Sequence, residues 1–287
     1  KIKKIKKIII SYFRKRVIIY KVSVNYFTKI NIIFIINISF ISSPNKRIMK
    51  FLFSESSIDY NNYKFGYSVN LVLNDNDSIE SVYSQGFLPY TGDIKNNEEV
   101  YYLARSIRVD LNDYERLSEN NRIVKNAKKK FNIKFESIDK TNFNHNEEFY
   151  KFCINFSKER FSNKPLNKER LSLIIDRKNY NRTYIFSIKN KNIGYVLAYE
   201  NTNIIHYWFS FYDTKYLNEF PIGKFMMEHL VYHAKKIGKK YIYLGTCYGE
   251  KALYKVRDFK GIEFYDGNKW IKDNKILKDL CKSDPIK

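Results

Sequence analysis

The segment from Phe209 to Lys255 constrains the fold most strongly, because strand, helix and turn patterns follow one another there in a fixed order. It opens with the aromatic run FSFYD, which predicts a strand ending at Tyr212–Asp213. After a loop to Gly223, apolar residues recur at helical spacing over Phe225–Ile237. A second strand at Tyr241–Leu244 and a turn rich in Lys and Tyr complete the segment. This order predicts a mixed α/β sheet with a helix packed between two neighbouring strands.

The whole chain has 287 residues, enough for two modest domains with separate cores. We predict an N-terminal domain over residues 49–135 and a C-terminal domain over 145–273, with the boundary between 131 and 146. The first should contain strands at 63–73 and 101–109 and a helix at 113–130. The second should contain helices at 147–160 and 168–177, a hairpin over 184–199 and the segment described above.

Residues 1–48 look different from the rest. They precede Met49, the first Met, and residues 1–49 hold nine Lys, three Arg and no acidic residue. The longest apolar run, Ile30–Ile41, is too short for a membrane span and is interrupted by Asn. We interpret residues 1–48 as a non-native or disordered extension, with a membrane-anchoring extension as the alternative.

The net charge of +22 favours an anionic partner such as RNA. Codon bias toward Lys, Asn, Ile, Tyr and Phe in an AT-rich genome explains the same composition, and charge alone does not separate the two explanations. Cys153, Cys247 and Cys281 are far apart and form no CxxC pair, so the sequence supports neither a disulfide framework nor a Cys-based zinc site. We expect a reducing, cytoplasmic setting.

The helix start at Gly223 is typical of a GNAT-type sheet, in which backbone N–H groups at this turn bind pyrophosphate. The loop here has one Gly and a Pro, which is a weak pyrophosphate signal and also suits an ordinary helix start. Lys224 would add positive charge to the helix N-terminus.

The same segment resembles the C-terminal domain of the aminoacyl-tRNA–protein transferases, which move an amino acid from charged tRNA to a protein N-terminus. The resemblance extends back to about Phe161, with a thinner similarity in the first half. It rests on five motifs in order: Phe211-Tyr212-Asp213, the helix from Gly223, Tyr243-Leu244-Gly245, the turn with Lys251, Tyr254 and Lys255, and the aromatic residues Phe259 and Trp270.

The resemblance implies two GNAT-like halves and transfer of Leu or Arg to an acceptor protein, a reaction that marks the acceptor for degradation. Its partners would be charged tRNA, as co-substrate, and the acceptor N-terminus, with no further cofactor, no metal and no membrane. We predict a monomer. The alternatives are an acetyl-coenzyme A N-acetyltransferase and a non-catalytic RNA-binding relative.

Roles follow from the chemistry of ester aminolysis, in which positioning supplies most of the rate. Asp213 would orient or deprotonate the acceptor amine, and Tyr254 or Lys255 would assist the leaving hydroxyl or hold the terminal phosphate; each also suits a structural role. The predicted substrate-binding residues are Tyr212, Gly223, Lys224, Tyr243, Gly245 and Lys251. The predicted tRNA contacts are Arg105, Arg108, Arg122 and Lys125.

Three further residues have weaker interpretations. His229 and His233 lie one helical turn apart, a spacing that suits a metal, but no third ligand is evident and we interpret them as helix-surface residues. Cys247 is a conceivable nucleophile, although a buried small residue is favoured. The family's N-terminal cysteine cluster is absent, and YYLA stands at 101–104 where it would be expected, so its metal site is either lost or replaced by packing.

Overall fold

A computed structural model describes residues 20–23, 34–39, 48–59, 64–75, 77–91, 98–161 and 165–284. The chain divides into two compact units. Unit 1 comprises Lys1–Tyr90 and Asn96–Leu103, and unit 2 comprises Thr91–Lys95 and Ala104–Lys287.

Unit 1 contains a six-stranded sheet of order β1-β2-β3-β4-β6-β5, whose described pairings are all antiparallel. Its strands are β1 (Tyr20–Ser23), β2 (Phe34–Ser39), β3 (Ile48–Asp59), β4 (Lys64–Val72), β5 (Phe87–Pro89) and β6 (Val100–Leu103), and its described helix is α1 (Ile79–Ser84). Leu71, Tyr83 and Tyr101 are fully buried in it. The rings of Tyr83 and Tyr101 meet edge to face at 6.1 Å, so Tyr101, at the start of the YYLA sequence, packs in the core.

Part of the predicted N-terminal extension belongs to this sheet. Strands β1 and β2 precede Met49, and β2 pairs with β3 over six residues, from Phe34 with Phe53 to Ser39 with Ile48. Residues 1–48 were predicted to be a non-native or disordered extension. The pairing of β1 and β2 within this sheet differs from the prediction of disorder. Its remaining residues, 1–19, 24–33 and 40–47, lie outside the described part of the chain.

Unit 2 contains an eight-stranded sheet of order β14-β13-β7-β12-β11-β10-β9-β8. The strands are β7 (Ser106–Asp110), β8 (Ile133–Asp139), β9 (Arg182–Ile188), β10 (Lys191–Glu200), β11 (Ile204–Tyr212), β12 (Tyr241–Thr246), β13 (Ile262–Tyr265) and β14 (Trp270–Ile271). The helices are α2 (Ser118–Lys130), α3 (Glu147–Arg160), α4 (Lys168–Asp176), α5 (Ile222–Lys236), α6 (Tyr254–Asp258) and α7 (Asn274–Ser283). Two 3₁₀ helices, Thr214–Asn218 and Glu250–Ala252, lie in the connections.

Local sequence signals explain several of these elements. Asn146 and Asn167 cap α3 and α4 by accepting hydrogen bonds from backbone N–H groups three residues on, each at 2.9 Å. The predicted hairpin is present as β9 and β10. Its turn residues Lys189 and Asn190 have φ angles of 48° and 63°, the left-handed conformation that a tight hairpin turn requires.

The central feature of unit 2 is the parallel pair β11–β12, joined by the crossover helix α5. The other described strand pairings of this sheet are antiparallel. The buried face of α5 presents Phe225, Met226, Leu230, Val231 and Ala234, as the apolar spacing predicts. The predicted mixed α/β, GNAT-like class is therefore confirmed, with the strand–helix–strand core in unit 2. Unit 1 was predicted to be a second GNAT-like half, but its described strand pairings are all antiparallel and include no parallel pair joined by a crossover helix.

The division between the units falls earlier in the chain than the predicted boundary at 131–146. The predicted strand at 101–109 is two strands, of which β6 joins the sheet of unit 1 and β7 that of unit 2. Strand β7 lies between β12 and β13, so the chain enters the second sheet at Ser106. The segment predicted as a bridge contains β8, which pairs with β9 at the sheet edge. Long-range pairing decides this boundary, and composition does not report it.

Helix α2 packs on α5 through a buried carboxylate. Glu228 of α5 is fully buried and accepts hydrogen bonds from Tyr114 Oη at 2.5 Å, Arg116 Nε at 2.7 Å and Asn120 Nδ2 at 2.6 Å. Burial raises the pKa of Glu228, while these donors favour its charged form. Asn120 also donates to the Asp258 carbonyl at 2.7 Å, which connects α2 to α6.

Within the described residues, no helix combines the length and the apolar character needed to cross a membrane.

Candidate active site

The candidate site lies where β11 and β12 stop pairing. The two strands pair over three residues, Ile204–His206 with Tyr241–Tyr243. Beyond them β11 runs on to Tyr212 and β12 to Thr246 without pairing to each other. Since both strands point the same way, their carboxyl ends border one opening in the sheet, the place where ligands bind in open α/β sheets.

The side chain of Lys255 lies at the edge of this opening. Its ammonium donates to the backbone carbonyls of Leu244 at 2.8 Å and Thr246 at 3.0 Å. These two carbonyls belong to the part of β12 that no longer pairs with β11, so Lys255 supplies hydrogen bonds to strand groups that need partners. An ammonium has three N–H groups. Among the described residues, the third N–H of Lys255 has no acceptor.

Burial lowers the pKa of Lys255, with Cys247 opposing that shift. Lys255 in turn contributes to a low pKa at His206, the last β11 residue paired with β12. Burial is the larger cause, and the pKa of His206 falls to about 3. His206 is 1% exposed. It is therefore neutral at physiological pH, and the cation at the opening is Lys255.

Tyr254 precedes Lys255 and is partly exposed. Burial of the phenol, followed by Asp258 and Cys247, raises its pKa to about 12. The hydroxyl therefore stays protonated near neutral pH and can donate a hydrogen bond. The predicted assistance to a leaving hydroxyl needs such a donor, whereas a general base would need the deprotonated phenol.

Tyr212 and Gly223 pack directly against each other, which joins the end of β11 to the first turn of α5. A Cβ atom at Gly223 would lie 2.9 Å from Tyr212 Cε1, closer than packed atoms come, so this position requires glycine. Tyr212 also packs against Phe156 in an edge-type contact, with 4.6 Å between the ring centroids. The glycine predicted to make room for a ligand instead makes room for a tyrosine ring.

Lys224 forms an ion pair with Asp258, with 3.1 Å between Nζ and Oδ2. Asp258 is 5% exposed. The pair ties the first turn of α5 to the end of α6. Asp258 also pairs with Arg257 at 2.9 Å, so its carboxylate holds the Lys224 ammonium in place while being shared between two cations.

Asp213 follows β11 directly and caps the 3₁₀ helix Thr214–Asn218 by accepting from the Lys215 N–H at 3.1 Å. Its other carboxylate oxygen lies 3.5 Å from Lys191 Nζ. Lys191 is 67% exposed, so this ion pair is weak and a substrate ammonium can replace it.

Three other predicted substrate-binding residues have different surroundings. Tyr243 is 1% exposed, and its hydroxyl accepts from Arg108 at 3.3 Å, so it is a core residue. Gly245 has φ of +81°, which glycine tolerates best, and an added Cβ there would lie 3.9 Å from Lys255 Nζ. Lys251 is exposed on the 3₁₀ helix before α6.

Arg105 and Arg108 are held inside unit 2, which corrects their assignment to tRNA. Arg108 is 8% exposed and donates to Glu263 at 2.7 Å. Its guanidinium lies 3.7 Å from the ring centroid of Tyr241 and 4.0 Å from that of Trp270. Arg105 forms a bidentate pair with Asp284, at 2.8 and 3.0 Å. Both arginines have structural roles in place of the predicted phosphate contacts.

Arg122 and Lys125 lie on the exposed face of α2. Arg122 pairs with Glu119 one turn earlier, at 2.8 Å, and the two side chains are 64% and 51% exposed. Lys128, Lys129 and Lys130 extend the basic face to the end of the helix, and Lys130 pairs with Glu219. This face stays a predicted RNA contact.

His229 and His233 pack against Phe135, with ring centroids 4.6 and 5.0 Å away. Burial lowers the pKa of His229 to about 4 and also lowers that of His233. Cys247 is 0% exposed, and burial raises the pKa of its thiol to about 12. Cys247 is therefore a buried small residue, as the favoured interpretation predicted, and it does not act as the nucleophile of the transfer.

Sequence reasoning missed His206, Asp258 and Glu228. Glu228 carried a usable signal, because it lies among buried apolar residues of α5 where only a paired carboxylate is stable. His206 and Asp258 carried no local signal, since their neighbours come from other elements.

No family model and no curated protein sequence matches the chain. Several solved structures resemble it in part, including two that cover different shares of this chain. One is the C-terminal domain of a protein assigned as a lysylphosphatidylglycerol synthetase from Agrobacterium fabrum, with 10% identity, a TM-score of 0.39, and 59% of this chain and 50% of that chain covered. The other is FemX, with 9% identity, a TM-score of 0.42, and 79% of each chain covered. The chain thus spans half the length of the first. The fold assignment rests on the strand order and the crossover helix of unit 2.

Proposed function

We propose that this protein transfers an amino acid from charged tRNA to an amine, and that the acceptor is a protein N-terminus that receives Leu or Arg. The observation that carries the proposal is Lys255. A largely buried ammonium with one uncommitted N–H lies where two parallel strands diverge. A fixed donor at such a site stabilises negative charge that develops on an oxygen.

The reaction is aminolysis of an ester. The acceptor nitrogen attacks the carbonyl carbon of the aminoacyl ester and forms the C–N bond. The ester C–O bond then breaks, and the proton lost by the nitrogen ends on the tRNA 3′ oxygen as it leaves as a hydroxyl. The free N–H of Lys255 is suited to the carbonyl oxygen as it becomes negative, or to the departing 3′ oxygen. Tyr254, protonated at neutral pH, is a second donor for that oxygen.

Asp213 suits acceptor recognition better than proton transfer. It lies seven residues beyond His206 along β11, whereas the carbonyls that hold Lys255 lie one and three residues beyond Tyr243 along β12. The difference is four to six residues, and at about 3.3 Å per residue it places Asp213 roughly 13–20 Å farther along the strand direction than Lys255. A carboxylate at this distance can hold a positively charged side chain of the acceptor while the acceptor N-terminus reacts beside Lys255.

An acetyl-coenzyme A transferase is less well supported. Such an enzyme needs an open, positive first turn of α5 for the pyrophosphate. Here the Tyr212 ring covers Gly223, and Lys224 pairs with Asp258. The non-catalytic RNA-binding alternative keeps the basic face of α2 and predicts no turnover.

The full chain, incubated with tRNA charged with labelled amino acid and peptides of varied first residue, tests the proposal. Label recovered in peptide, with Leu or Arg as the preferred donor, supports it. Turnover with acetyl-coenzyme A alone would replace it with the acetyltransferase, and tRNA binding without turnover would replace it with the RNA-binding relative.

Replacing Asp213 with Asn should raise the KM for the acceptor peptide about tenfold or more while kcat changes little, because a hydrogen bond to a charged group is lost. Initial rates against peptide concentration measure this. Lys191→Ala is the matched control, since it breaks the same ion pair but keeps the carboxylate. An equal KM rise in both variants would mean that the ion pair matters and the carboxylate does not bind substrate.

The double variant Arg122→Ala, Lys125→Ala should weaken tRNA binding and reduce its salt dependence. Each phosphate contact removed lowers the slope of log K against log salt by about 0.9, so a change of nearly two units is expected. Lys275→Ala with Lys278→Ala, an exposed pair of the same spacing on α7, is the control. If both double variants keep the full slope, the tRNA contacts another surface.

A further inference from the structure

Two of the three cysteines, distant in sequence, lie in contact within unit 2. Cys247 follows β12 and Cys281 lies in α7, and their sulfur atoms are 3.6 Å apart. The Cys281 thiol also lies 3.5 Å from the Cys247 carbonyl. The two residues are 0% and 1% exposed. A disulfide needs cysteine side chains that face each other at close range, and this pair meets that requirement.

The surroundings of the pair make its reaction depend on the docking of α7. The Arg105 guanidinium lies 3.9 Å from the Cys281 sulfur and is paired with Asp284 at 2.8 and 3.0 Å. Burial raises the pKa of Cys247, which keeps the pair slow to react while α7 is docked. Helix α7 buries only Leu277 and Cys281, so its local opening costs less than global unfolding.

We propose that Cys247 and Cys281 are a modification site that forms a reversible disulfide when the protein meets a peroxide. One thiolate attacks the peroxide O–O bond and becomes a sulfenic acid as the first water leaves. The second thiol attacks that sulfur, the S–S bond forms, and a second water leaves. Both sulfurs are oxidised and hydrogen peroxide is reduced to two waters. A small thiol reverses the reaction by exchange.

The bond would tie α7 to the segment that carries Lys255. The loop closed between residues 247 and 281 contains the 3₁₀ helix Glu250–Ala252, α6, β13 and β14. Arg105 already binds both backbone groups of Cys247. The Cys247 N–H donates to the Arg105 carbonyl at 3.0 Å, and the Arg105 guanidinium donates to the Cys247 carbonyl at 3.2 Å. The disulfide therefore restricts the unfolded chain around the candidate site and leaves the folded site in place. Formation of the disulfide does not depend on which reaction the site performs.

The test is peroxide treatment of the folded full chain, followed by trapping of free thiols and peptide mapping without reductant. The expected result is one cross-linked peptide containing residues 247 and 281, loss of two hydrogens from the intact mass, and a rise in Tm on the order of 5–10 °C that dithiothreitol reverses.

Cys153 is the internal control, because it is equally buried but is not part of the contact between Cys247 and Cys281. Cys153→Ser should keep the cross-link, whereas Cys247→Ser and Cys281→Ser should each abolish it. Should either of these two variants fail to fold, the peptide map of the wild-type chain still decides. Peroxide-treated protein that keeps three free thiols, reaches only sulfinic acid, or links Cys153 would overturn the proposal.

Discussion

Lys255→Met should reduce amino acid transfer by about 100-fold or more, with the loss mainly in kcat. The loss follows from removing a fixed donor that acts on a developing negative charge, an effect of about 2.7–4 kcal/mol in other enzymes. Met keeps most of the buried side-chain volume. Steady-state rates with saturating charged tRNA measure the effect.

The matched control is Lys278→Met, which removes an exposed lysine of α7 that is not among the predicted site residues. Because Lys255 also holds the Leu244 and Thr246 carbonyls, its loss leaves two acceptors without partners, and each costs about 1–3 kcal/mol if buried. Circular dichroism and Tm of the variant therefore accompany the rates. A folded Lys255→Met protein with near-normal turnover would remove this opening from consideration as the reacting centre.

The pH profile gives an independent check on the same residue. Burial lowers the pKa of Lys255, and the ammonium is the form that donates. The contribution of Lys255 should thus be complete below this lowered pKa and disappear as pH rises through it, at lower pH than for a solvated lysine. The high-pH decline should be present in the wild type and in Lys278→Met, and absent from the residual rate of Lys255→Met.

Arg108→Ala should destabilise the protein by about 3–5 kcal/mol, because it leaves the Glu263 carboxylate buried without its main partner. It also removes the cation between the rings of Tyr241 and Trp270. For a unit of this size the expected fall in Tm is on the order of 10 °C. Lys272, 3.6 Å from Glu263, offers partial compensation and favours the lower end of the range.

Two comparisons make this prediction sharp. Arg122→Ala removes an exposed arginine with a carboxylate partner and should cost less than about 1 kcal/mol. The double variant Arg108→Met, Glu263→Leu removes both buried charges and should recover much of the stability lost in Arg108→Ala. A Tm for Arg108→Ala equal to that of Arg122→Ala would contradict the buried role assigned to Arg108.

The sequence determined the elements whose signals are local. Helical spacing of apolar residues located α5, Asn167 located the start of α4, and the turn after Ile188 located the hairpin, because capping and turn chemistry act over a few residues. The order strand, helix, strand also predicted a mixed sheet around a central helix, and the structure adds that the two strands form the parallel pair β11–β12.

Only the tertiary structure decided the boundary between the units, the partners of the charged residues and the cysteine contact. Strand β7 joins residues more than 130 positions away, from Arg108 to Tyr243, and nothing near Ser106 reports this pairing. An arginine reads the same in sequence whether it faces solvent, as Arg122 does, or two aromatic rings, as Arg108 does. Burial and pairing are properties of distant chain segments brought together, so the role of Lys255 became concrete only when β12 supplied its two carbonyls.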